Sequence, residues 1–258
     1  MGDDLYGSSL LEQTRRAGVD VLACQVLTGH ATSTYLSLHG RDGDMALALN
    51  DMAILEQITP ERLSASAARV RHACALLVDC NLPEATLEWL FAQAASIPVF
   101  AEPVSAFKCR RLLPWLGRVH TLKANRIEAQ ALTGLPVVDD AGVRAAANCL
   151  HELGVRQVVL SLGERGVYWS EHLGASGWQA ALAIEVVNAS GAGDAMMAGL
   201  LHGYVQGATL AQAVVFGTGC AALTLMSHQA NHVNLSEAAV QLILQTPTHV
   251  LDPTPIRP

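Results

Sequence analysis

Hydrophobic and polar positions along the chain follow different rules in different places. Near the front, "LYGSSLLEQTRRAGVDVLACQVL" sets Leu10, Leu11 and Thr14 on one helical face, stops at Gly18 and resumes as a β-rich run. It predicts a helix followed by a strand. "TSTYLSLHGRDGDMALALN" changes the rule, because two β-rich segments flank "GRDGD", a hairpin signature. Alternation then takes over. "CALLVDC", "IPVFAEPV", "VHTLKAN", "QVVLSLG" and "GVYWSE" predict strands. "PEATLEWLFAQAA", "RIEAQALTG", "AGVRAAANCLHELGV", "GAGDAMMAGLLHGYVQG" and "TLAQAVVFGTGCAALTLMS" predict helices. Short strands apolar on both sides, alternating with helices, argue for a mostly parallel sheet covered on both faces. The hairpin does not fit inside such a layer. The expected organisation is an α/β domain over 1–31 and 50–258, with 32–49 as a small β lid.

Composition narrows the class. Of 258 residues 51% are hydrophobic and 15% charged, which supports a large buried core and excludes disorder. Net charge is −7 with no Lys/Arg block, so no nucleic-acid partner is expected. No apolar run is long enough to span a bilayer, and "MGDDLYGSS" lacks a signal-peptide core, so the expectation is a cytoplasmic protein without a membrane partner. Cys24, Cys74, Cys80, Cys109, Cys149 and Cys220 are scattered without a CxxC pair, and buried reduced thiols are expected. His228 and His232 lie four apart, too little for a zinc site.

The chemistry concentrates in "VVNASGAGDAMMAGLLHGYV". A helix opening at Gly191-Ala192-Gly193 leaves its first backbone N–H groups without intrahelical partners. Small residues keep those groups uncovered, and the helix dipole favours negative charge there, so the turn can form an anion pocket. Asp194 follows at once. Beside a bound phosphate its carboxylate needs a separate task, and taking a proton from an attacking hydroxyl is the obvious one. An ordinary strand-to-helix turn with an N-terminal aspartate would look the same. There is no G-x-x-x-x-G-K-[ST], and Met196 stands where a dinucleotide fingerprint needs its third glycine, so P-loop and Rossmann readings fall away.

Two further stretches bear on the choice. In "LKANRIEAQALTG", Asn125 and Glu128 share one side of a helix's first turn. The amide can contact phosphate oxygens and the carboxylate can hold waters of Mg²⁺, or the two can simply cap the helix. In "SLGERGVYW", Gly163 and Gly166 follow a buried strand, forming either a plain hairpin turn or a loop that admits a nucleotide to the backbone.

The order "KANRIE", "SLGERG", "NASGAGDAMMAGL" resembles that of the ribokinase, or PfkB-type, family of carbohydrate and nucleoside kinases, whose signature is D-T-x-G-A-G-D. The resemblance implies a ribokinase-like three-layer α/β/α fold with a mostly parallel central sheet and a small β-hairpin lid. It implies ATP and Mg²⁺, with Asp194 as catalytic base and Gly191, Ala192 and Gly193 as the anion hole. Asn125, Ser161, Gly163 and Gly166 match ATP-binding positions, and Glu128 the position that holds Mg²⁺ through water. Asn188 and Ser190 stand where the family can bind a monovalent cation such as K⁺. The partner is a small nucleoside or sugar, and the lid can pair two subunits into a homodimer. Within the family, "TSTYLSLHGRDGDMALALNDMAI", "VDCNLPEATLEWL", "PVFAEPVSAFKC" and "HTLKANRIEA" are similar to the branch that phosphorylates pseudouridine at its 5′-hydroxyl. Another sugar or nucleoside, and a non-catalytic nucleotide binder, are the alternatives.

Several positions depart from the family pattern: Asn188 for Asp, Ala189 for Thr or Val, Ala124 for Pro, and Glu102 for the Asp of "DPVSA". None removes the base or the bare amides. "GDDLYGSSLLEQTRRAGV" resembles a stretch that in the family follows strands carrying a sugar-gripping aspartate and a Gly-Gly turn. The expectations are therefore an uncovered sheet edge, low solubility or weak activity, and Met1 as an internal or misassigned start. Thr32, Ser33, Thr34 and Lys108 are minor candidates for contact with substrate or phosphate.

Overall fold

The computed structural model describes residues 1–39 and 45–245. The chain divides into two compact units, Met1–Ala73 with Asn81–Ile97, and Cys74–Cys80 with Pro98 onward.

The first unit opens with α1 (Leu5–Arg16), whose N-cap Asp4 accepts from Gly7 N–H at 2.7 Å. The same carboxylate accepts from Thr32 N–H at 2.8 Å and from Thr32 Oγ1 at 2.7 Å, and these bonds hold its pKa down at about 2. The Thr32 hydroxyl also accepts from Gly2 N–H at 3.0 Å. Thr32 is thus buried as a staple of the local chain, which gives its hydroxyl a structural task. The strand expected after Gly18 does not form. A β-rich run becomes a strand only where a ladder partner lies beside it. Here the one pairing is an isolated bridge between Gly2 and Leu27, and Val19, Leu22 and Val26 are exposed.

The hairpin does form. Strands β1 (Thr34–His39) and β2 (Met45–Asp51) run antiparallel with Thr34 opposite Asp51, Leu36 opposite Leu49 and Leu38 opposite Leu47. Its "GRDGD" turn lies outside the described residues. The unit continues through short helices α2 (Pro60–Leu63) and α3 (Ala67–Arg71) and closes with α4 (Glu84–Gln93). Thr86 Oγ1 of α4 donates to Ile58 O.

The second unit is built on a six-stranded sheet in chain order: β3 (Leu76–Asp79), β4 (Val99–Glu102), β5 (Thr121–Asn125), β6 (Gln157–Ser161), β7 (Val167–Glu171) and β8 (Ser176–Gln179). The first four strands are parallel and the last two antiparallel. Helices α5 (Arg126–Thr133) and α6 (Asp140–Glu152) pack on β5 to β7, sealing Ala129, Leu132, Ala146 and Leu150. Helices α7 (Ala192–Val205) and α8 (Leu210–Leu225) meet Phe100, Val159 and Val167 of the sheet through Met196, Met197, Leu200 and Val214. Since Val159 faces α7 and α8, its neighbours Val158 and Leu160 face the other layer, and all three are buried. The doubly apolar strands read from the sequence are those of a covered α/β/α sheet. Helix α9 (Glu237–Gln245) packs on α8. Strand β3 ends the sheet, and its Leu77 is exposed.

All six cysteines are free. Cys80, Cys109 and Cys220 are buried, whereas Cys24 and Cys74 are exposed, so the expected burial holds for only part of the set. Among the described residues no helix is long and apolar enough to cross a membrane.

Candidate active site

Parallel strands point their carboxyl ends the same way, and ligands of open α/β sheets gather beyond those ends. Register makes the site. Asp79 pairs with Glu102 across β3 and β4, and Asn125 with Ser161 across β5 and β6. The carboxyl ends of four adjacent strands thus bring Asp79, Glu102, Lys123, Asn125 and Ser161 to one end of the sheet.

Asn125 is the N-cap of α5. Its Oδ1 accepts from Ile127 N–H and Glu128 N–H, each at 2.9 Å, while Glu128 Oε2 accepts from Asn125 N–H at 2.8 Å. The pair is a complete capping box. The cap uses Asn125 Oδ1 and leaves its amide NH₂ as a donor on an exposed residue, whereas Glu128 is buried.

The turn into α7 is shaped by Gly191, which has φ 81° and ψ −7°. A Cβ there would lie 1.9 Å from Ala230 O, so both dihedral and space demand glycine. No side chain caps this helix, and Gly191 O accepts its first bond from Ala195 N–H at 2.9 Å, which places the amides of Ala192, Gly193 and Asp194 at its open end. Asp194 is exposed. Upstream, Asn188 Oδ1 accepts from Ser190 N–H at 2.9 Å and Asn188 Nδ2 donates to His228 O at 3.2 Å, which pins the loop before the turn.

Beside this entrance lies a cavity of about 270 Å³. Ser161, Gly163 and Gly166 line it from one side, and Ala192, Gly193, Thr218 and Ala222 from the other. Residues from two separate motifs of the sequence therefore wall one space. The size suits part of a nucleotide, with apolar walls and a few backbone donors. Asn125, Glu128 and Asp194 are not among the lining residues, although Asp194 follows Gly193 directly in the chain.

One pair escaped the sequence reading. Lys123 Nζ donates to both carboxylate oxygens of Glu102 at 2.8 Å, with the two side chains 4% and 14% exposed. Burial pushes the Glu102 carboxyl up to about 7 against the downward pull of Lys123, and Glu128 and Asp194 add to the rise. A Cβ on Gly193 would come within 2.7 Å of Lys123 Nζ. An ammonium group, a glycine-led helix entrance and three carboxylates thus share one neighbourhood. The signal that could have found Lys123 was a lysine inside an otherwise apolar strand.

No group of three or more His, Cys, Asp or Glu able to hold a metal occurs among the described residues. The pfkB family carbohydrate kinase model matches residues 1–237. The chain belongs to the pfkB family. It is 42% identical over 240 residues to pseudouridine kinase of Escherichia coli (strain K12), spanning 93% of this chain and 77% of that one. It is equally, 42%, identical over 236 residues to the uncharacterized sugar kinase YeiI of the same strain, spanning 92% of this chain and 65% of that one. Among solved structures, Arabidopsis thaliana ribokinase complexed with ribose and ATP superposes with a TM-score of 0.83 at 22% identity, covering 96% of this chain and 80% of that one. As a pfkB-type carbohydrate kinase, the chain is a phosphotransferase with an alcohol acceptor.

Proposed function

We infer that this chain transfers the γ-phosphoryl group of ATP to the 5′-hydroxyl of pseudouridine. The observation that carries the reading is the uncapped, glycine-led entrance of α7, with exposed Asp194 in its first turn, opening on the cavity that Ser161, Gly163 and Gly166 share. The relative named pseudouridine kinase supports the choice of acceptor.

In this reading Asp194 takes the hydroxyl proton as the oxygen attacks. The new O–P bond forms, the bond from Pγ to the bridging oxygen breaks, and ADP leaves. Amides at Gly191 to Gly193 face the charge that spreads over the transferring oxygens, where fixed donors act without reorganising. Ser161, Gly163 and Gly166 hold the nucleotide. Asn125 turns its free NH₂ to phosphate, and Glu128 anchors waters of Mg²⁺. Mg²⁺ supplies charge neutralisation on the phosphates when bound. A monovalent cation such as K⁺ near Asn188 and Ser190 is part of the proposal, and Asn188 Oδ1 would serve it with the lone pair that Ser190 N–H leaves open.

Equal identity to the sugar kinase YeiI favours a second reading, in which another sugar is the acceptor. Purified chain with ATP and Mg²⁺ would be offered pseudouridine, uridine, adenosine, ribose and fructose, and ADP release and phosphorylated product measured. The highest kcat/KM is expected for pseudouridine. Preference for a sugar would move the assignment to the second reading, and ATP binding without product on any acceptor would overturn both.

A further inference from the structure

Arg165 takes no part in the chemistry proposed above, yet its side chain ties down the loop that carries Gly163 and Gly166. The loop, Leu162–Gly166, joins β6 to β7 and is closed by its own backbone bonds, Leu162 N–H to Gly166 O and Gly166 N–H to Gly163 O, each at 2.9 Å. These bonds shape the turn without fixing its tip to another element. Gly166 packs against the chain at Gln179–Ala181, where a Cβ would lie 2.1 Å from Gln179 O. Gly163, at the other end, is exposed, with φ 62° and nothing within 4 Å of its absent Cβ. Both glycines line the cavity, so freedom at Gly163 is freedom in the cavity wall.

Arg165 supplies the tie. Its Nη2 donates to Asp140 Oδ1 at the start of α6, and its guanidinium carbon lies 6.0 Å from the centre of the Trp178 ring on β8. Trp178 in turn meets its cross-strand partner Tyr168, with 4.9 Å between ring centres. Val167 packs with α7 and α8, so Tyr168 and Trp178 stand on the other side of the sheet, with α6. The loop is thus gripped from one side of the sheet while its glycines front the cavity on the other. The two side chains of the ion pair are 42% and 57% exposed, and such a pair adds little to global stability. On a glycine-flanked loop its effect falls on binding instead. A loop already held in place spares the ligand the cost of ordering it, and a loop competent only part of the time weakens binding by that fraction.

We propose that Arg165 is a positioning residue for the phosphoryl donor: gripped by Asp140 and laid over Trp178, it preorganises the Gly163–Gly166 wall of the cavity, so that the nucleotide binds without first ordering the loop. The assignment rests on the kinase reading above.

The test separates this role from a surface contact that merely steadies the fold. Arg165→Met, Asp140→Ala and the double variant are compared with wild type for Tm, calorimetric affinity for MgADP, ATP KM, acceptor KM and kcat. For Arg165→Met the expected result is MgADP affinity about fivefold weaker and ATP KM raised as much, the scale of an exposed ion pair and a stacked cation together. Its kcat and acceptor KM stay within about twofold of wild type, and its Tm is nearly unchanged. Asp140→Ala shows part of the same loss, and the double variant binds no more weakly than Arg165→Met, because the two residues act through one contact. MgADP affinity within about twofold of wild type in Arg165→Met overturns the proposal, whether or not Tm falls. A loss confined to kcat overturns it too, since a loop that only receives the donor does not act in the chemical step. Wild-type binding of MgADP is read first: its absence overturns the kinase reading and this one together, whereas normal wild-type binding with unimpaired variants overturns this one alone.

Discussion

Gly191→Ala is the sharpest perturbation of the α7 entrance, because its two costs can be separated. The first is conformational: φ is 81°, a left-handed value that costs an L-residue with a Cβ roughly 1–2 kcal/mol. In a chain of this size that corresponds to a drop in Tm of roughly 2–8 °C. The second is steric: the new methyl would lie 1.9 Å from Ala230 O, a backbone atom that cannot rotate away. Either the segment around Ala230 or the first turn of α7 must shift, and a misplacement of about 1 Å at a reacting site can cost roughly 10² in rate. Gly207→Ala is the control. That glycine also has a left-handed φ, 73°, but nothing lies within 4 Å of its absent Cβ. Both variants are measured by thermal melting and by steady-state ADP release with saturating acceptor. Gly207→Ala should lose only the dihedral share of Tm and keep its kcat. Gly191→Ala should melt lower still and lose about 10² in kcat. Normal turnover by Gly191→Ala would show that the turn's geometry does not matter to the reaction.

Three other outcomes follow from the same geometry. Glu128→Gln keeps an acceptor for Asn125 N–H, so its Tm should stay near wild type while the Mg²⁺ needed for half-maximal rate rises roughly tenfold; Glu128→Ala should also lose about 1 kcal/mol with the cap. An unchanged Mg²⁺ requirement in both would reduce Glu128 to a cap. Because burial raises the Glu102 pKa from 4.5 to about 7, the native state keeps a proton that the unfolded chain has lost, so this group's contribution to stability falls as pH rises from about 4.5 to 7. Urea titrations at several pH values should show that slope in wild type and a flatter one in Glu102→Gln; identical slopes would contradict it. Leu36, Leu38, Leu47 and Leu49 form two cross-strand pairs on one face of the hairpin and are all exposed, which is the patch a homodimer through the lid would cover. Light scattering should report a dimer that Leu36→Glu with Leu49→Glu converts to monomer, and a mass unaffected by the double change would rule that interface out.

The strands β4 to β7 and the helices α4 to α8 were legible because these strands are largely apolar and the helices carry their own start or stop signals. The run at 19–27 was misread because β-propensity does not reveal whether a partner strand lies alongside. Strand β8 escaped notice since "SGWQ" is too short and polar to show alternation. The 3₁₀ segment Lys108–Arg118 contains Pro114, which removes a donor that a regular α-helix needs, so no 3.6-residue signal survives. At the site, the glycine turn and the paired motifs could be read because their residues are close in sequence. Asn125 and Glu128 were read as either phosphate and Mg²⁺ contacts or a cap, and the structure contains the cap without displacing the other use. Lys123 and Glu102 are 21 residues apart, and only parallel register joins them.

Asp194→Asn tests the central claim most directly. The substitution keeps the shape of an exposed residue and removes one charge from the first turn of α7, worth about 0.3–1 kcal/mol, so folding should be nearly unchanged. With pseudouridine, ATP and Mg²⁺, the account predicts a kcat at least 10²-fold below wild type, the usual contribution of a general base being ~10²–10⁴, with MgATP affinity preserved. A loss of less than about tenfold would contradict proton transfer to Asp194, and with it the account of this helix entrance as the place where the phosphoryl group changes hands.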